Sequence, residues 1–390
     1  MSTATSSAAT DSLNELDRAL AAGGVEALLA ALAEQFAREN RLHELFDTRL
    51  MQARVKLGLP PVGSGALEEL PPAQREKVEQ AYLVACQEIG EKMLSQGKLR
   101  EAWLYLRPTG STKEMIAAIR AVEVDDDTAE DLIELALQER IDPAYGFELL
   151  LTYHGTCNSI TVYDSQLGNA SKRDQQRCAE LLVRHLHAEL DRNLRAEIKR
   201  REGRDPSEMN LATLIAERDW LFSENNYHVD TTHLNSVVRI GQIVEEPAEL
   251  SKLVDLCAYG LKLAKQFHFE GDAPFEATFP SHTLYYNAQL GQDVEQALDF
   301  FRQRAETDDQ LVIGTGAAET YIVLLQRLGR WSEAIATSAK LLPPGTRTAG
   351  FAPTLLELSK QARDFATLKA LCRERGDLLN YAAALAVEAN

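Results

Sequence analysis

"AAETYIVLLQRLGRWSEAIATSAKLLPP", residues 317 to 344, decides the fold. Gly329 separates two helical runs, Trp331 and Ala334 open the second, and Pro343 closes it. Glycine tolerates the positive φ at a helix C-terminus, and a small alanine removes the bulk that would hold two helix axes apart. The stretch therefore predicts two helices folded back on one another. Three further stretches align with it. Residues 82 to 108, "YLVACQEIGEKMLSQGKLREAWLYLRP", place Gly97 five residues before Ala102, followed by Leu106 and Pro108. Residues 281 to 306, "SHTLYYNAQLGQDVEQALDFFRQRAE", carry Gly291, Ala297 and Phe301 with a spacing one residue longer, and residues 371 to 390 carry Gly376 before an alanine-rich run.

Self-similar units of this length signal stacked helix pairs. The pattern resembles the tetratricopeptide repeat family, in which a glycine ends the first helix, a small alanine lets the second approach, and a proline often closes the unit. The resemblance implies an all-α fold, an α-solenoid of stacked antiparallel helical hairpins that is tetratricopeptide-like at 78–108 and 282–390. The units from 109 to 280 depart from the pattern, and the family's tryptophan and tyrosine positions are missing from most of them.

The rest of the chain is read as helix after helix. Residues 1–12, rich in Ser, Thr and Ala, are expected to form a disordered tail. Residues 13–57 form N-terminal helices, with Gly23 and Gly24 as a break and an apolar set from Val25 to Val55 on one helical face. Residues 58–74, "GLPPVGSGALEELPPAQ", concentrate proline and glycine and read as a linker. Residues 75–280 are diverged helical repeats with a candidate polar groove, and 281–390 are the tetratricopeptide-like C-terminal repeats. Within the middle region, 170–201 carries Cys178, Leu181, Leu182, Leu186, Leu190, Leu194 and Ile198 at helical spacing and predicts one long amphipathic helix. Asp127, three residues before Glu130, reads as a capping box rather than a calcium loop.

Composition excludes several classes of function. With 41 Lys plus Arg against 59 Asp plus Glu the formal charge is −18, unfavourable for nucleic acid and for anionic bilayers. The start of the chain lacks the basic and apolar stretches of a signal peptide, and no apolar run is long enough to span a membrane. Five cysteines, scattered without a C-x-x-C pair, fit a reducing compartment. A cytoplasmic protein acting on a peptide or protein partner is the expectation.

Three polar segments could supply chemistry: "YHGTCNSITVYD" with His154, "ENNYHVDTTHLNS" (224 to 236) with His228 and His233, and "PSHTLYYNAQLG" with His282. Each sits at or before a first helix, the helices that line the inner face of a stacked array. His154, Asn158 and Thr161 fall at i, i+4 and i+7 and would share a face. Tyr227, His228, His233, Asn235, His282, Tyr285 and Asn287 complete the candidate ligand-binding set. The alternative is a metal-dependent enzyme in which His154, His228, His233, His282 and Asp230 hold zinc, iron or manganese and Asp164 or Asp230 acts as base. Against a metal, His228 and His233 are five apart and Asp230 reads as a helix cap. "LVIGTGAAETY" (311 to 321) resembles a dinucleotide loop, but Glu319 stands where a third glycine belongs, so a loop before a helix is expected. Cys157 near His154 lacks the base and oxyanion donors of a nucleophile. The loop "PPGTRTAG", 343 to 350, could cradle an anion through its amides and Arg347, or serve as a connector.

Overall fold

The computed structural model is all-α: helices account for 77% of it, and among the described residues the one extended pairing is an isolated bridge between Glu270 and Ala277. The structure describes residues 2–63, 70–208, 210–308, 310–343 and 345–389. The chain divides into two compact units between Leu149 and Leu150.

The first unit holds α1 (Ser2–Arg38), α2 (Leu42–Lys56), α3 (Pro72–Ser95), α4 (Leu99–Leu106), α5 (Thr112–Ala121), α6 (Ala129–Ile133) and the start of α7 (Pro143–Gln166). Each of α1 to α4 packs on the helix that follows it. The backbone of α1 is helical from Ser2, through the stretch read as a tail, and breaks at Gly23 and Gly24 as expected. The Pro/Gly linker joins two helices of this one unit; its residues 64–69 lie outside the described residues. On either side of it, α2 and α3 are locked by a two-pronged ion pair from Arg49 to Glu88 at 2.8 and 3.0 Å. Two local readings need correction. The apolar set from Val25 to Val55 belongs to two helices, because Asn40 adopts a φ of 56° and turns the chain. The acidic cluster is capped by Asp125, whose carboxylate receives the amides of Asp127 and Thr128 and the Thr128 hydroxyl, not by Asp127.

The second unit continues α7 and adds α8 (Lys172–Glu202), α9 (Leu211–Ala216), α10 (Thr231–Ile240), α11 (Pro247–Lys262), α12 (Thr278–Gln289), α13 (Val294–Thr307), α14 (Gln310–Ile313), α15 (Gly316–Arg327), α16 (Trp331–Leu341), α17 (Leu355–Ala362), α18 (Phe365–Arg375) and α19 (Leu378–Glu388). The long helix is α8. Ser171 caps it by receiving the Asp174 amide, Gly203 ends it in the left-handed region, and Cys178, Leu182, Leu186, Leu190, Leu194 and Ile198 are all sealed from solvent. That stripe packs on α10 and α11, and His187 on its flank reaches Asp255 of α11 at 3.0 Å instead of facing water. From α10 onward each helix packs on its successor, with α13 meeting α15 across the one-turn α14; α12 also touches α10 and α15 directly.

One turn recurs throughout. Gly97, Gly291, Gly329 and Gly376 all have φ between 68 and 79°, and in each case the next residue donates its amide to the carbonyl five residues back: Lys98 to Met93, Gln292 to Asn287, Arg330 to Leu325 and Asp377 to Cys372. This is the Schellman closure of a helix C-terminus. The same bond closes α1 at Asn40 (Arg41 to Phe36) and α17 at Arg363 (Asp364 to Ser359), both residues holding a left-handed φ without being glycine. Ala102, Ala297 and Ala334, on the second helix of their pairs, are wholly buried, as the close approach requires.

The turn gives a test with opposite outcomes at two positions. Gly329→Val forces a β-branched residue into the left-handed region and should lower the urea midpoint, through a loss of about 1–2 kcal/mol or more in unfolding free energy. Arg363→Gly relieves the same strain at an entropic cost of about 0.5–1 kcal/mol and should leave the unfolding free energy within about 1 kcal/mol of the parent's. Equal midpoints for Gly329→Val and the parent protein would contradict the turn geometry.

Candidate functional site

The second unit contains a cleft of about 1500 Å³. Three helices supply its walls, each through one stripe. From α10 come Asn235, Ser236 and Arg239; from α12, Thr278, His282 and Tyr285; from α15, Gly316, Thr320, Val323 and Arg327. Steps of three and four place each set on a single helical face. Helices α11 and α13, which lie between them in sequence, and α16, which follows, contribute no described residue to the lining, while the one-turn α14 contributes Ile313. The end of α7 and start of α8 (Tyr163, Lys172, Gln175) and two loops, 269–276 and 347–351, complete the rim.

Local sequence explains how the walls are held. Asp230 caps α10 by receiving the amides of Thr232 and His233 at 2.8 and 3.2 Å, as its position predicts. Arg239 on the next turns is tied to Asp164 of α7 at 2.7 Å, so Asp164 is an ion-pair partner with both groups about half exposed. On α12, His282 is 2% exposed and stacks on Phe275 at 4.1 Å. Its Nδ1 donates to the Thr278 carbonyl at 2.7 Å, which leaves Nε2 as acceptor for the Gln242 amide at 2.9 Å. Burial holds the imidazole neutral, lowering its pKa from 6.5 to about 4, and the Arg239 charge pushes the same way. Tyr285, one turn on, is buried edge-on to Phe275, and burial raises its phenol while the Arg327 charge opposes the rise.

The two glycine-bearing loops read from the sequence meet at the rim through Glu319. This carboxylate is fully buried and receives the backbone amides of Ala349 at 2.6 Å, Gly350 at 2.9 Å, Phe351 at 3.0 Å and Ala352 at 3.1 Å, together with the Thr315 hydroxyl at 2.6 Å. The residue that spoils the dinucleotide pattern is thus the anion that fills the amide cradle of the 343–350 loop. Removing it would strand four donors, each at a cost of about 1–3 kcal/mol where water cannot reach. The cradle is structural, and Arg347 stands outside it.

The sequence-derived set is divided by the structure. Asn235, His282 and Tyr285 line the cleft. His154, Asn158 and Thr161 lie exposed on α7; Asn158 and Thr161 bond to the carbonyls of His154 and Cys157 within their own helix, and Gly155 (φ 76°, ψ 179°) interrupts the helix on which their i, i+4, i+7 spacing was counted. Tyr227 packs edge-on to Phe267, and His233, half-buried beside the α10 cap, is likewise outside the lining. His228 is engaged with Tyr259, whose hydroxyl receives its amide at 2.7 Å and meets its Nδ1 at 3.1 Å; burial depresses this imidazole too, and Nε2 is buried without a hydrogen-bond partner. Asn287 sits on α12 away from the cleft. Among the described residues no three His, Cys, Asp or Glu side chains are grouped to hold a metal ion, so His154, His228, His233, His282 and Asp230 do not form the ligand set considered for zinc, iron or manganese. Cys157 is exposed.

Sequence reading missed Arg239, Gln242, Glu319 and Arg327. The available signal was local: Arg327 follows Thr320 and Val323 at helical spacing, with the apolar run from Ile322 to Leu325 between, which places a cation on the same helical face. No protein-family model, curated protein or solved structure matches this chain. Among the described residues no helix is long and apolar enough to cross a membrane.

His282 predicts a pH dependence. The unfolded ring binds a proton near 6.5 and the folded ring only near 4, so the fold loses stability as pH falls from about 6.5 to 4. That difference corresponds to about 3 kcal/mol. Urea unfolding of the parent and of His282→Gln across this window should show a steeper decline for the parent. Parallel declines would mean that the imidazole is not held neutral by the cleft wall.

Proposed function

We propose that this chain is a helical-repeat binding scaffold: antiparallel hairpins stacked as in an α-solenoid, tetratricopeptide-like at 78–108 and 282–390, holding a peptide, a protein segment or a small polar ligand in a concave groove. The observation that carries the reading is the alternation in the cleft wall. Helices α10, α12 and α15 line it and the helices that follow and pack on them, α11, α13 and α16, do not, as expected when the first helix of each hairpin faces inward and the second packs behind; the one-turn α14 adds Ile313. Contacts of α12 with both α10 and α15, alongside those with its sequence neighbours, fit the same stacking.

The chemistry of the wall fits a polar ligand. Asn235 offers a carbonyl oxygen that is buried without a hydrogen-bond partner, Tyr285 an apolar ring, and Arg239 and Arg327 guanidinium donors. His282 contributes shape, since both of its nitrogens are committed. A cytoplasmic setting and a peptide or protein partner belong to this proposal. Five free thiols and a surface of net charge −18, unsuited to nucleic acid, support them.

Selection from a random peptide library on the full chain tests the reading. Ser236→Trp fills the groove from the half-buried side of α10, and Gln296→Trp puts the same bulk on the exposed face of α13. Selected peptides should lose at least roughly tenfold in affinity for Ser236→Trp, which is about 1.4 kcal/mol, and bind Gln296→Trp like the parent. Melting temperatures of both variants should lie close to the parent's. Failure to select any binder, or binding indifferent to Ser236→Trp, would refute a groove.

A further inference from the structure

The cleft wall holds a buried arginine without a close carboxylate. The other deeply buried arginine of the second unit, Arg218, is met by Glu202 and Glu208 at 2.7 and 2.8 Å, and Arg184 meets Glu249 at 3.0 Å, Arg330 meets Glu295 at 2.9 Å and Arg304 meets Glu276. With 59 carboxylates for 41 basic residues, acidic partners are in surplus. Yet Arg327, whose side chain is 8% exposed, has its nearest carboxylate, Glu245, at 3.7 Å, beyond hydrogen-bond reach and itself half exposed. Nη1 of Arg327 donates to the Val244 carbonyl and to Gln289 Oε1, and Nε is buried without a hydrogen-bond partner among the described residues. Lys172 reaches the same Glu245 only at 3.9 Å. Arg347 makes no hydrogen bond or ion pair among the described residues, and the Arg239–Asp164 pair is exposed enough to be worth little.

A guanidinium carries five N–H donors, and burying it with donors unused is costly unless something compensates. An arginine in that state at a cleft wall is matched by a planar oxyanion, which it can receive through two parallel N–H groups. Arg239 sits close enough to His282 for its charge to act on that ring, and Arg327 lies over Tyr285 with its guanidinium carbon 5.8 Å from the ring centre. Both cations line the cleft that His282 and Tyr285 of α12 also line. Of the three carboxylates on the lining, Glu276 is held by Arg304, and Glu270 and Asp272 belong to the loop at the rim.

We propose that the ligand of this cleft carries an oxyanion, a carboxylate or a phosphate, received by Arg327 and Arg239. The inference rests on the groove reading above and narrows it to acidic ligands. Such binding is charge-assisted and weakens with ionic strength at the exposed Arg239 more than at the buried Arg327.

The experiment is calorimetric titration and thermal unfolding of the full chain with three probes: inorganic phosphate, citrate and a tetraglutamate peptide, each against potassium chloride at equal ionic strength. At least one probe should bind and raise the melting temperature above the chloride control. Arg327→Gln and Arg239→Gln should each weaken it by roughly ten- to a hundredfold. Arg327→Lys, which keeps the charge and loses the fork, should fall between, and Arg302→Gln, exposed on α13, should bind as the parent does. Phosphate binding alone assigns a phosphate ligand; citrate or tetraglutamate binding alone assigns a carboxylate. If Arg327→Gln does not fold, Arg239→Gln at the exposed edge carries the test. No binding above chloride, or binding unchanged in both arginine variants, overturns the proposal. Library peptides that bind, are blocked by Ser236→Trp and ignore both arginine variants would keep the groove and remove the oxyanion; loss of Ser236→Trp sensitivity as well would remove both.

Discussion

The structure depends on one backbone constraint: a helix that ends on a left-handed residue and is closed by a hydrogen bond spanning five residues. That closure reverses the chain within two or three residues, so the next helix must return along the one just ended. Repeated at Gly97, Gly291, Gly329 and Gly376, and at Asn40 and Arg363 without glycine, it makes every second helix of a run a candidate for the same face. Buried alanines at 102, 297 and 334 then let the paired axes approach. Along the cleft two of those reversals, at Gly291 and Gly329, join α12 to α13 and α15 to α16, while α10 passes to α11 through the turn 241–243. No residue of the cleft needs to know about the others for this to happen; each stripe is set by its own helix register.

Polar groups at the cleft fall into two energetic kinds. Glu319 and His282 are saturated: five donors converge on the carboxylate, and the imidazole has one donor and one acceptor satisfied. Such groups fix loop and helix positions and have nothing left to offer a ligand. Arg327 and Asn235 are unsaturated, with Nε of the arginine and Oδ1 of the asparagine unused among the described residues. Unused buried polar capacity is costly to folding and is most readily explained by a partner that completes it. The binding proposals rest on this contrast rather than on the number of polar residues gathered in one place.

Much of the local structure was legible in the sequence, and the assembly of the site was not. Glycine at a helix end is visible in one dimension because its physics is local, and so is the Asp230 cap; the long helix α8 was legible for the same reason, through its apolar period. The turn at Arg363 left no such signal, since arginine does not announce a positive φ, while Asn40 carries a weaker form of the glycine signal, asparagine being enriched in the left-handed region. The convergence of the histidine segments failed on tertiary grounds. Gly155 breaks the helix that was to align His154 with Asn158 and Thr161, and His228 turns toward Tyr259. All three segments touch the cleft, through Tyr163, through Asn235 with Ser236, and through His282 with Tyr285, but His282 is the one histidine among them that does. Glu319 was read as a defect in a phosphate loop because its partners lie thirty residues downstream, where no pattern within the loop can point.

The alternation of helices is the claim on which the functional proposals stand, and hydrogen exchange reads it helix by helix. With a selected peptide bound, mass-resolved exchange should slow along α10, α12 and α15 and leave α11, α13 and α16 at their unbound rates. Protection spread evenly over both sets, or confined to α11, α13 and α16, would contradict the placement of the groove.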